Sequence, residues 1–340
     1  MLVDFRSDTL TKPTPAMRAA MAAADVGDDV FGEDPTINRL EARVAELLGK
    51  DRALFVPSGS MANQIAIRLL TQPGDEVVME ADAHPFHYEA GGAAVISGVT
   101  IRLVQGLRGV LDPVAVAAAV RAPNVHHAPA AMLSVENTSN RGGGAITSVS
   151  RCAQLCTVAH GAGLRAHLDG ARLWNAAVAT QTAIAEFANP FDIVNVCFSK
   201  GLGAPIGSML TGPADLVDRG RRIRKMLGGG MRQVGILGAA CNHALDHHVE
   251  RLADDHARAS RLAEGLMSCG YAVEANPETN IIYFRVRDAS ACTARLAERG
   301  VRAIALAADR VRLVTHLDID DDGVRFALGV FAQLHPGTVL

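Results

Sequence analysis

The chain has 340 residues, of which 49% are apolar and only 4% aromatic, and carries a formal net charge of −3. That length suits two domains with a core built from Ala, Leu, Val and Ile. The near-neutral balance gives no general attraction to nucleic acid or an anionic membrane, and no apolar run approaches the ~20 residues of a membrane span.

The first two thirds alternate between helix and strand patterns. Residues 34–49 read as a helix, with Ile37, Leu40, Val44, Leu47 and Leu48 on one face. A strand at 53–56 breaks at Pro57-Ser-Gly-Ser60 and leads into a helix at 61–70. Strands follow at 76–79, 100–104 and 130–135, then a helix at 149–161. Further strands are predicted at 164–169, 191–199 and 206–211. This alternation predicts an α/β fold with a mostly parallel sheet covered on both faces. After Arg232 the pattern becomes a long helix at 234–269, then strand 279–286, helix 289–299, strand 311–315 and helix 321–333. That is a small α+β C-terminal domain, so the expected division is 1–245 and 246–340. The N-terminus has no basic-then-apolar leader. The six cysteines (152, 156, 197, 241, 269, 292) lack metal or redox spacing, which predicts reduced thiols in a cytoplasmic protein.

Lysine is nearly excluded from the chain: Lys12, Lys50, Lys200 and Lys225 stand among 33 basic residues. Lys200 follows a buried strand pattern and precedes a glycine-rich turn. Desolvation disfavours a charged amine, and neutral lysine forms Schiff bases. Asp169 ends the preceding strand, 31 residues earlier. A Schiff-base lysine paired with a carboxylate for a pyridinium nitrogen fits pyridoxal phosphate (PLP). Pro57-Ser-Gly-Ser-Met-Ala-Asn63 joins strand to helix, where free amides make an anion site; Gly59 allows close approach and Ser60 adds a hydroxyl. His84 lies just past a strand end, at the edge where ligands bind in open parallel sheets, and its ring could stack on a pyridine. His87, His126 and His127 read first as surface histidines. Arg312 sits inside an apolar strand and needs a partner, either a substrate carboxylate or an internal salt bridge. Arg172 follows Asp169 closely. Gly228-Gly-Gly-Met-Arg232 presents Arg232 to a phosphate or a neighbouring subunit. The basic run 219–225 reads as a solvated helix face or a phosphate or subunit contact. His243 and His247 share a helix face near His248, a possible zinc set, but without the H-E-x-x-H pattern.

Nine segments together resemble the low-specificity L-threonine aldolases of the PLP fold-type I, aspartate-aminotransferase-like group. They are Arg6-Ser-Asp-Thr9, 26–32, Asp34-Pro35, Glu89-Ala-Gly-Gly92, 133–137, 167–172, 199–203, 228–233 and 311–317. The resemblance implies that Lys200 is the Schiff-base lysine, that Asp169 meets the pyridine nitrogen and that His84 stacks on the ring. It implies Gly59, Ser60 and Met61 at the phosphate, with Arg232 from a partner subunit, and Arg172 beside the cofactor. Ser7, Arg172 and Arg312 would bind the amino acid carboxylate and His126 the substrate hydroxyl. The implied reaction is reversible cleavage of L-threonine or L-allo-threonine to glycine and acetaldehyde, with PLP as cofactor and no metal, in a homotetramer with shared sites. His84, His126 or a water could be the base. Ser139 and Phe31 depart from the common pattern, where relatives often carry histidine and tyrosine. Another fold-type I lyase or racemase, or a phenylserine aldolase, is the alternative.

Overall fold

The computed structural model describes residues 1–334. Among these residues, thirteen strands run in chain order. They are β1 (Val3–Asp4), β2 (Arg52–Val56), β3 (Glu76–Glu80), β4 (Thr100–Val104), β5 (Ala130–Glu136), β6 (Arg165–Gly170), β7 (Ile193–Cys197), β8 (Ser208–Gly212), β9 (Ala272–Val273), β10 (Ile281–Arg285), β11 (Val301–Arg302), β12 (Ile304–Ala307) and β13 (Arg310–Val314). Seven form the main sheet in the order β2-β8-β7-β6-β5-β3-β4. Only β8 runs opposite in direction to the other six. Strands β3 and β7 are buried at every residue, as expected where helices cover both faces.

Local chemistry sets the element ends. Asp34 caps the helix Pro35–Leu48 by accepting from the amides of Thr36 and Ile37, and Gly49 closes it at φ 62°. Ser58 caps the helix Gly59–Leu70 by accepting from Met61 N. Register then levels the strand ends. Glu136 on β5 stands beside Asp169 on β6, and Asp169 beside Asn195 on β7. Three polar side chains thus line up across three adjacent parallel strands.

Two segments differ from the sequence pattern. The strand expected over 191–199 ends at Cys197, so Lys200 lies in a turn beyond it. The helix expected over 234–269 is two helices, Gly235–His247 and Leu252–Ser268. At the break, buried His248 hydrogen-bonds through Nδ1 to the Leu202 carbonyl at 2.7 Å. The interruption docks on the Lys200 turn, a long-range contact that helical periodicity does not carry.

The C-terminal part holds the antiparallel sheet β12-β13-β10-β9. Its core includes Val3 and Phe5 from the chain start, because β1 pairs with β11. The expected division at 245/246 would thus part β1 from its pairing partner β11.

Candidate active site

The C-terminal ends of the parallel strands deliver the site. Beyond β7 the chain folds back, with Ala204 N donating to Phe198 O at 3.1 Å. The Lys200 carbonyl accepts from Gly203 N and from Thr11 Oγ1, both at 2.8 Å. The backbone of this half-buried lysine is thereby held from its own turn and from the N-terminal segment.

Asp169 is buried at the end of β6. Its carboxylate accepts from Asn63 Nδ2 at 2.7 Å, Ala171 N at 3.1 Å and Asn195 Nδ2 at 3.3 Å. All three donors are neutral. A buried carboxylate held this way still favours a cation facing it.

His84 opens the short helix after β3. Its Nδ1 lies 2.9 Å from Glu89 Oε1. Glu89 is fixed in turn by Asn63 Nδ2 at 2.8 Å and Gln64 Nε2 at 2.6 Å. Asn63 thus ties Glu89 and Asp169 together. Burial alone depresses the His84 pKa, but the bond to Glu89 and the charges of Asp169, Glu89 and Glu136 outweigh it and raise the value. Glu136 accepts from His84 N and Asn140 N, both at 2.8 Å. Its own pKa is raised to about 7, first by burial and then by the Asp169 charge beside it.

The arginines divide. Arg172 is buried in a two-pronged pair with Asp8, Nε–Oδ2 2.7 Å and Nη2–Oδ1 2.8 Å. Burial pushes Asp8 upward, but the Arg172 and Lys200 charges prevail and hold it well below the usual carboxylate range. The resemblance implies Arg172 as a substrate-carboxylate contact, yet only its Nη1 lies outside the Asp8 pair. Arg312 behaves differently. It donates to the neutral acceptors Asn140 Oδ1 (2.9 Å) and Arg6 O (3.0 Å), and its buried Nε has no partner. That orphaned donor fits an incoming carboxylate. Ser7 Oγ accepts from Thr9 N at 3.2 Å and so caps a short turn.

At the start of the helix Gly59–Leu70 the amides of Gly59 and Ser60 precede the first intrahelical bond, Ala62 N to Ser58 O. A Cβ on Gly59 would stand 2.8 Å from Cys197 Sγ, so glycine lets the helix start rest against β7. Met61 borders the 228–232 loop, whose Gly229 could not take a Cβ beside its sulfur.

Other expected residues are not brought together. His126 lies in the exposed loop before β5, whereas the site lies after it. A seven-residue strand, roughly 20 Å long, separates the two. Within one chain His126 therefore does not reach the site, contrary to its assignment as a base or hydroxyl contact. Arg232 is 56% exposed and bound to Asp28 Oδ2 at 3.2 Å. The basic run is not merely a solvated face. Arg224 is 2% exposed and donates to Asp29 at 2.5 Å and to Phe55 O at 2.7 Å. The ring centroids of His243 and His247 lie 4.5 Å apart with the planes tilted by 51°, but among the described residues no three His, Cys, Asp or Glu side chains group to hold a metal ion.

Asn63, Glu89, Glu136 and Asp8 were not singled out by sequence reasoning. Three of the four stand in the segments that carried the resemblance, and that was their available signal. Asn63 had none beyond its place in the glycine–serine turn.

Comparison with known proteins gives the family and the fold. Residues 4–289 match the beta-eliminating lyase family. The chain is 41% identical to a probable low-specificity L-threonine aldolase 2 of Arabidopsis thaliana, over 98% of this chain and 97% of that one. It is 40% identical to the low specificity L-threonine aldolase of Escherichia coli strain K12, over 94% and 95%. A solved structure of Leishmania major threonine aldolase superposes with a TM-score of 0.86 at 20% identity, covering 97% of this chain and 99% of that one. The fold is thus that of the fold-type I enzymes. The chain belongs to the beta-eliminating lyase family, in the group that holds the low-specificity L-threonine aldolases.

Proposed function

We propose that the chain binds PLP and reversibly cleaves L-threonine and L-allo-threonine to glycine and acetaldehyde. The observation that carries the reading is buried Asp169, held by neutral donors only, on the strand beside the one that leads to Lys200. The site fits the cofactor. Asp169 offers its charge to the ring nitrogen, the Gly59 and Ser60 amides and the Ser60 hydroxyl suit the phosphate, and Lys200 supplies the amine.

When bound, PLP supplies an aldehyde carbon for the substrate amine and a ring that takes up the electron pair left at Cα. The protein's own groups do the rest. Arg312 grips the substrate carboxylate with its unpartnered Nε, while Arg172 chiefly fixes Asp8 and the N-terminal segment. Of the two histidines first considered as base, only His84 stands at this edge of the sheet. Glu89 holds its Nδ1, which leaves Nε2 to take the proton of the β-hydroxyl. The Cα–Cβ bonding pair moves to Cα, Cβ departs as the aldehyde carbon, Cα takes up one proton to balance the one held at His84, and the Lys200 amine returns to its place. Asp169, ionised, favours a proton on the ring nitrogen and so deepens the electron sink.

A homotetramer with shared sites completes this reading. Its support is the exposed Arg232, with Phe31 73% and Met226 69% exposed. Against a phosphate, Arg232 would then act from the partner subunit. The free cysteines support a cytoplasmic location. The test is borohydride reduction of the PLP-loaded protein followed by peptide mapping. The adduct belongs on the Lys200 peptide; an adduct on another lysine contradicts the assignment. Cleavage of phenylserine without cleavage of either threonine isomer would instead favour an aromatic substrate.

A further inference from the structure

Beneath Asp169 lies a buried polar chain that the reaction does not use directly. Ser134 on β5, His167 on β6 and Asn195 on β7 occupy adjacent strands. His167 and Asn195 are 0% exposed and Ser134 is buried. His167 Nδ1 lies 3.0 Å from Ser134 Oγ, and Nε2 lies 2.5 Å from Asn195 Oδ1. Asn195 Nδ2 donates to Asp169 Oδ1 at 3.3 Å.

The chemistry of each group fixes the protons. An ionised carboxylate only accepts, so the Asn195 atom facing it is the amide nitrogen. The Asn195 oxygen therefore faces His167, and His167 Nε2 must donate. Nδ1 is then the lone-pair nitrogen and accepts the Ser134 hydroxyl proton. Asp169 and Glu89 both favour a second proton on this ring, but burial outweighs them and lowers the pKa. The imidazole stays neutral, with one tautomer.

We infer that His167 is a positioning residue for Asp169: its Nε2–H locks Asn195 so that the amide donates to the carboxylate that faces the cofactor nitrogen. An aliphatic side chain at 167 would fill the space but leave Asn195 free to turn its oxygen toward Asp169. Two acceptors would then face each other in a dry site. The inference rests on the proposed PLP reading for its consequence, though not for its proton order.

Two measurements test it. In cofactor-free protein with 15N-labelled histidine, assigned against His167→Gln, the His167 ring should show the Nε2–H tautomer and no titration between about pH 5 and 8. An Nδ1–H tautomer, or titration in that range, overturns the inference. For PLP affinity, His167→Leu and Asn195→Leu should each weaken binding about tenfold. The double variant should be no weaker than Asn195→Leu alone, and His167→Gln, which keeps a donor, should bind within about twofold of the unmodified chain. Effects that multiply, or no rescue by glutamine, overturn it. If the unmodified chain takes up no PLP, the proposed function fails, while the tautomer result still decides the proton order.

Discussion

Asp8 and Arg172 form an ion pair that is almost wholly withdrawn from water. Removing one partner strands the other as a buried charge, which costs about 3–5 kcal/mol. Asp8→Asn should therefore lower the urea midpoint strongly at neutral pH. The folded pKa of Asp8 lies below its ordinary 3.8. Its ionised form thus supports folding fully above about pH 4, and the support fades as pH falls toward the folded value. The gap between variant and parent should narrow on acidification; a constant gap would contradict the pairing. Glu136 behaves in the opposite sense. Its folded pKa, about 7, lies above the ordinary 4.5. Stability from this group is intact below about pH 4.5 and is lost as pH rises through about 7. In cofactor-free protein, Glu136→Gln should flatten the decline in urea midpoint across that window, and an unchanged slope would rule out Glu136 as its source. At this scale the sequence exposes Lys200, Asp169, His84 and Arg312, because rare or costly residue types stand at strand ends or inside an apolar strand. It hides Asn63, since an amide on a helix carries no signal until the fold sets it 2.7 Å from Asp169, 106 residues away.

The helix Gly59–Leu70 shows how an element serves both packing and chemistry. Its first turn rests on β7 closely enough that a Cβ at Gly59 meets Cys197 Sγ. Gly59→Ala should cost about 1–3 kcal/mol through overpacking and weaken PLP binding by displacing the amides. Adding Cys197→Ala should restore most of both, and failure of that rescue would mean the clash is not the cause. Most elements were legible because their ends carry chemistry. Asp34 and Gly49 bracket one helix, and the helices Val149–Gly161 and Asp321–Gln333 fall at the positions read from sequence. The break at 248–251 was not legible. No proline or glycine marks it, and its cause is the contact between His248 and the Leu202 carbonyl.

Across the whole molecule, the N-terminal segment is the tie between parts. Phe5 is fully buried in the C-terminal core, Asp8 holds Arg172, and Thr11 holds the Lys200 carbonyl. Phe5→Ala should cost about 3–5 kcal/mol and reduce PLP affinity as well, because the same segment reaches the site. Loss of stability with unchanged PLP affinity would show that the segment does not couple them. Strand alternation announced the α/β fold, but not the strand order or the crossing of β1 to β11. The β1–β11 pairing joins residues some 300 positions apart, as Val3 with Val301, and leaves no local pattern. On the proposed function, this edge of the sheet performs PLP-dependent aldol cleavage. The most direct measurement is acetaldehyde release from L-threonine and L-allo-threonine by purified, PLP-loaded protein, beside Lys200→Ala. Release by the parent, abolished in the variant together with the yellow absorbance, is the predicted result. Release undiminished in Lys200→Ala, or none from either isomer by a fully PLP-loaded parent, would contradict it.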